Sequence, residues 1–174
     1  MIELSVIRDL VAIFGVIAGF TYYYLTVSNA SKARKIQLVS RIREQAWSTE
    51  GMKAAVEIQE MSWTDLDDFD AKYDSTVNPD NLSKRFLVWG FFQELGYLLH
   101  EGLVDRDTVY NLLGGHNSLL IWTKFEPIIK EQRKKYRDPS WFKYFEYYAD
   151  EMKRYRVSQG IEPEITDPDG YVNR

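Results

Sequence analysis

The chain of 174 residues contains no cysteine. That excludes disulfides, thiolate metal sites, cysteine nucleophiles and thiol redox chemistry together. Histidine occurs twice, at His100 and His116. No His-x-x-x-His pair and no Glu-x-x-His spacing of the di-iron bundles can be formed. A histidine-based metal site would need Glu94, Glu126 or Glu146 to converge on those two rings, and more ordinary hydrogen bonding or solvation is expected of each. Glycine-rich phosphate loops are missing too, and Gly114-Gly115 reads as a helix break. No G-x-S-x-G nucleophile elbow is present. Period-two alternation and internal repeats are also absent, so no strand is expected. No catalytic residue, cofactor or metal is therefore predicted.

What the chain does have is one long uncharged run, Leu10 to Val27, reading LVAIFGVIAGFTYYYLTV. About 18 residues at ~1.5 Å each make a helix of about 27 Å, close to the ~30 Å hydrocarbon core of a bilayer. A helix satisfies its own backbone hydrogen bonds, so such a run is at home in lipid. It is read as a single transmembrane helix. A cleaved signal peptide, with Ser28-Asn29-Ala30 as cleavage site, is the rival. That reading lacks a basic leader, and basic residues follow the run directly.

Charge divides the chain. Up to Arg43, six cations (Arg8, Lys32, Arg34, Lys35, Arg41, Arg43) face Glu3 and Asp9, a balance of about +4. The whole chain carries −4, so the remainder carries −8. An acidic domain argues against nucleic acid as a partner. Lys32, Arg34 and Lys35 form a basic neck suited to anionic headgroups. By the positive-inside rule the neck and domain are cytoplasmic and the N-terminus lies outside, at the cell membrane. Tyr22, Tyr23 and Tyr24 would lie at the cytoplasmic interface. One face of the run is small: Ala12, Gly15 and Gly19, the last two a GxxxG match. It can admit a second helix, from another copy or another protein, although glycine is also common in membrane helices.

Residues 1–28 are thus read as the anchor, 29–47 as a stalk continuing the helix, 48–160 as a helical bundle and 161–174 as a mobile acidic tail. Ser48 or Thr49 caps a helix over 51–61. Thr64 with Asp67 suggests a capping-box variant opening an acidic helix, Asp65 to Tyr73. Its carboxylates Asp65, Asp67, Asp68 and Asp70 read as a solvated face favouring the helix N-terminus rather than a cation site. The turn Val77 to Asn81 precedes Leu82 to His100, apolar around most of its circumference and hence a buried central helix. Gly90 and Gly96 are expected to let neighbours approach. Asp105 or Asp107 caps a short helix, 108–113. Asn117 or Ser118 caps the next, 119–137, with Pro127 as a kink or restart. Asp138-Pro139 signals a last helix, with a packing stripe of Trp141, Phe145, Tyr148, Met152 and Tyr155.

Glu94, on that apolar helix, is expected to be buried and partnered by Arg133 or a tyrosine hydroxyl, with His100 nearby in a polar network. A polar pocket there would favour a tethered enzyme or small-ligand sensor. Lys124, Lys130, Arg133, Lys134, Lys135 and Arg137 form a basic stretch, read as a solvated face rather than a contact for anionic lipid or an acidic partner. Asp167-Pro168-Asp169-Gly170 only faintly resembles a calcium loop.

The order anchor, stalk, FLVWGFFQELGYLLHEGLVD, then Trp122 with Pro127 and Arg133, then WFKYFE resembles a family of small membrane-anchored helical proteins of bacteria and archaea known only as a domain of unknown function. The resemblance covers nearly the whole chain and rests on aromatic packing positions. It implies a fold and no catalytic residues. The expected architecture is all-α, one transmembrane helix followed by a cytoplasmic bundle of five or six helices. The expected role is a non-enzymatic interaction or accessory module in a membrane complex.

Overall fold

A computed structural model describes residues 4–165, and every element among them is a helix. In order these are α1 (Leu4–Ala46), α2 (Thr49–Glu60), α3 (Leu66–Tyr73), α4 (Pro79–His100), α5 (Arg106–Leu112), α6 (Gly115–Tyr136) and α7 (Lys143–Ser158). The chain divides into two compact units after Ser40.

The first unit is helical throughout its described length, as the absence of proline allows. From Val11 onward α1 is long and apolar enough to cross a membrane. None of its most apolar stretch is buried. Phe14 and Phe20 are 68% and 71% exposed.

The second unit gathers its helices around α4, which packs most extensively on α7 and next on α2. Asn78 caps α4, accepting from the Asn81 amide at 3.0 Å, and Pro79 fills the first turn, where no amide donor is needed. Val88, Trp89, Phe92, Leu95, Leu98 and Leu99 are buried, so the helix apolar nearly all round is indeed central. The Phe92 ring stacks on Phe145 at 5.1 Å, and Trp122 meets the same ring edge-on at 5.0 Å. Trp89 sits edge-on to Phe125 and Phe142. Such rings supply most of the burial energy, about 1.5–3 kcal/mol each.

Several helix starts differ from the sequence reading. α4 begins at Pro79, so residues 79–81, read as part of a turn, already form its first turn. Asp65, not Thr64, caps α3: its carboxylate accepts from the Asp68 amide at 2.9 Å, while Asp68 accepts from the Thr64 amide at 3.0 Å. α6 begins at Gly115, because Gly114 adopts φ +83°, a left-handed geometry glycine tolerates. Ser118 is inside the helix, bonding back to the Gly115 carbonyl at 2.7 Å. α6 then runs through Pro127 without a restart. Asp138 closes a turn instead of starting α7, accepting from the Ser140 amide (2.8 Å) and hydroxyl (2.6 Å). α7 starts at Lys143, after Phe142 at φ 51°. Its first amides are capped from another helix: Gln93 Oε1 on α4 accepts from the Tyr144 and Phe145 amides, both at 2.9 Å.

The α7 stripe buries Phe145, Tyr148 and Met152. Trp141 precedes the helix, and Tyr155 is half-buried, its phenol donating to Asp107 at 2.6 Å. The expected mobile tail is held at its start. Arg156 donates to the Glu162 carbonyl (2.7 Å), the Glu164 carbonyl (3.3 Å) and the Tyr110 hydroxyl (3.0 Å). Asp167 to Gly170 lies outside the described residues.

The α3 cap gives a pH prediction. Hydrogen bonds from Lys72 (2.7 Å), then from the Thr64 amide, hold the Asp68 carboxyl below the usual carboxylate range. A depressed folded-state value adds stability above the unfolded value, near 3.8, that is lost as pH falls through the folded one. Trp63 packs edge-on against Phe69 of α3 at 5.1 Å. Its fluorescence should therefore report α3 loosening below about pH 4, with Asp68→Asn flattening that acid branch. An unchanged acid branch in the variant would reject the assignment.

Candidate functional site

α2 has two faces of opposite character. Ser48 opens the helix, its hydroxyl accepting from the Gly51 amide at 3.0 Å. Ala54 and Ile58 then point into the core. The adjacent face, Met52, Ala55, Val56 and Gln59, forms one wall of an apolar groove. Leu87, Val88, Phe91 and Phe92 of α4 form the facing wall. Leu113, Gly114, Asn117 and Ile121, with Gln45, Ala46, Trp47 and Gly51, complete its lining. The groove, open to solvent along its rim, offers about 160 Å³. Ala46 and Ala55 contribute only a methyl to this lining; Gly51 instead lets the preceding turn approach, since a Cβ there would lie 3.1 Å from the Gln45 and Ala46 carbonyl oxygens. None of its lining residues is charged.

The other flank of α2 is ionic. Glu50, Lys53 and Glu57 there face Asp80, Ser83 and Lys84 of α4 across a shallow cleft. Lys84 pairs with both Glu57 and Asp80, the latter at 2.6 Å. Charge is thus sorted to one side of the helix and apolar surface to the other.

The residues singled out in the sequence fall elsewhere. Glu94 is exposed rather than buried, because it projects from the side of α4 that α7 and α2 leave uncovered. His100 is exposed and bonds Glu101 at 3.1 Å. Arg133 donates to Glu146 at 2.5 Å and to the Trp141 carbonyl at 2.8 Å. The three therefore do not form the buried network expected. The basic stretch is largely neutralised in place. Lys130 pairs with Glu126, Lys134 with Glu131 and Lys135 with Asp70. Lys124 is buried, donating to the Gln59 carbonyl at 2.5 Å. On α1, a side chain added at Gly15 or Gly19 would meet nothing within 4 Å. Gly90 is likewise open, against expectation, whereas Gly96 is in close contact. Lys32, Arg34 and Lys35 are exposed. Among the described residues no group of three or more acidic or histidine side chains is placed to hold a metal.

Three buried charges escaped sequence reasoning, Arg85, Glu151 and the tail-holding Arg156. Arg85 is 1% exposed. It donates to Asn81 Oδ1 (2.9 Å) and the Tyr73 carbonyl (2.6 Å), with its guanidinium over the rings of Phe69 and Trp89. Loss of water pushes its value down to about 10. The signal was Asn81 one turn before it on an apolar helix. Glu151 is 2% exposed and pairs with Arg106 and Arg154. The cations on Glu151 reach it from the surface, 54% and 65% exposed, and both Arg85 and Glu151 read as structural.

The chain belongs to the family described as a domain of unknown function, DUF4760, which matches residues 9–152. No curated protein and no solved structure matches it.

Proposed function

We propose that this member of the family is a single-pass membrane tether, with its helical unit on the cytoplasmic side as a non-enzymatic interaction or accessory module. The observation that carries the reading is the wholly unburied apolar window of α1. In water each exposed large side chain there forgoes about 1.5–3 kcal/mol of burial, which a bilayer restores. The orientation rests on Lys32, Arg34 and Lys35 following the apolar run, where anionic headgroups favour them. The small face Ala12, Gly15 and Gly19 is open along α1 and suits close packing with a partner's helix or a second copy. No nucleic acid is proposed as partner, given the acidic balance beyond the neck.

The test is topological. Alkaline extraction of cell membranes should leave the chain in the pellet. In right-side-out vesicles a C-terminal tag should be protected from added protease and in inverted vesicles digested. Ile17→Lys, which adds about 3–4 kcal/mol to the cost of insertion, should move much of the chain out of the membrane fraction. A tag digested in right-side-out vesicles reverses the orientation, and alkaline release of the wild type rejects the tether.

A further inference from the structure

We propose that the groove between α2 and α4 is a binding site for an uncharged small molecule with an aromatic or short aliphatic body and one hydrogen-bonding head. Three observations carry this. Charged residues make up 28% of the chain, yet none lines the groove, although the opposite flank of the same helix is ionic. A charged occupant would lose its water there and gain no counter-charge. The electrostatics therefore select a neutral one.

The walls are apolar and unfinished. Val88 and Ile121 are buried at the floor, while Trp47, Met52 and Val56 at the rim are 58%, 42% and 53% exposed. Ligand sites combine such walls with a few polar groups. Here these are the side-chain amides of Gln45, Gln59 and Asn117, each offering both a donor and an acceptor. Size sets the last limit. About 160 Å³ matches apolar cavities of about 150 Å³ that accept a benzene-sized molecule. It admits one ring or a short branched chain.

Methyl NMR on the full chain in lipid nanodiscs tests this, with methionine methyls labelled and indole as probe. Met52 is at the rim, whereas Met61 and Met152 are buried in the core and serve as internal controls. Indole should shift the Met52 methyl saturably, with half-saturation below about 1 mM for a ligand of this size, and leave the controls in place. Indole-3-acetate, the same ring with a carboxylate, should bind at least tenfold more weakly. Ala55→Trp fills the space and should weaken indole tenfold or more. Val56→Lys places a charge at an exposed rim position that folding tolerates, and should do the same. The proposal is overturned by a linear Met52 response, by equal binding of the acid, or by binding that survives Val56→Lys. It is also overturned if the Met52 signal of the probe-free protein changes between discs holding one chain and discs holding two, which would make a second copy the occupant.

Discussion

Gly96→Ala should lower the stability of the helical unit by about 3 kcal/mol, while Gly90→Ala, six residues earlier on the same helix, should raise it by about 0.5–1 kcal/mol. A Cβ at Gly96 would lie 1.8 Å from the Tyr144 carbonyl oxygen and 2.6 Å from its carbon. Those are backbone atoms of α7, held by Gln93 capping, so no side-chain rotation relieves the contact. α4 and α7 must separate, and the stack of Phe92 on Phe145 opens with them. At Gly90 an added methyl meets nothing within 4 Å, leaving only the gain in helix propensity. All five tryptophans (Trp47, Trp63, Trp89, Trp122, Trp141) follow residue 40. Tryptophan fluorescence of the full chain during urea unfolding therefore reads the helical unit alone. The two variants should move the midpoint in opposite directions. A shift of the same sign in both would reject the close approach at Gly96.

Arg85→Ala should cost about 3 kcal/mol, and Arg85→Met should stay within about 1.5 kcal/mol of wild type. Alanine leaves a cavity beneath Phe69 and Trp89 and strips the Tyr73 carbonyl and Asn81 of their donor. Methionine keeps the volume among those rings and removes a cation that no carboxylate bonds directly; Asp70 and Asp74 act on it only through space. Its burial without a close counter-ion is what pushes its value down, so the charge itself adds little net stability. The same urea titration separates the cases. Equal losses for alanine and methionine would mean that the two hydrogen bonds, not packing, hold α3 against α4.

The groove and the buried charges show where sequence reading stops. Asn81 and Arg85 are a turn apart on an apolar helix, a pattern that invites a buried polar pair. Glu94 has the same neighbourhood and is exposed. The difference is which sector of α4 other helices cover, and a helix apolar on nearly all sides does not reveal that sector by periodicity. The groove is composed of residues from three separate stretches. Each looks like an ordinary packing position, and only their juxtaposition leaves space.

The sequence by itself determined the helical class, the uncharged run in α1, the charge step across the neck and the central place of α4. All are local or cumulative properties: one residue's hydropathy, one turn's spacing, one sum of charges. Tertiary structure alone decided how α7 begins. Asp138-Pro139 carries the local signal, but its carboxylate is spent on Ser140, and the helix starts at Lys143, where Gln93, fifty residues away in sequence, reaches its first amides. A cap supplied from another helix leaves no trace in the neighbouring sequence, because the acceptor and the amides meet only after α4 and α7 have packed.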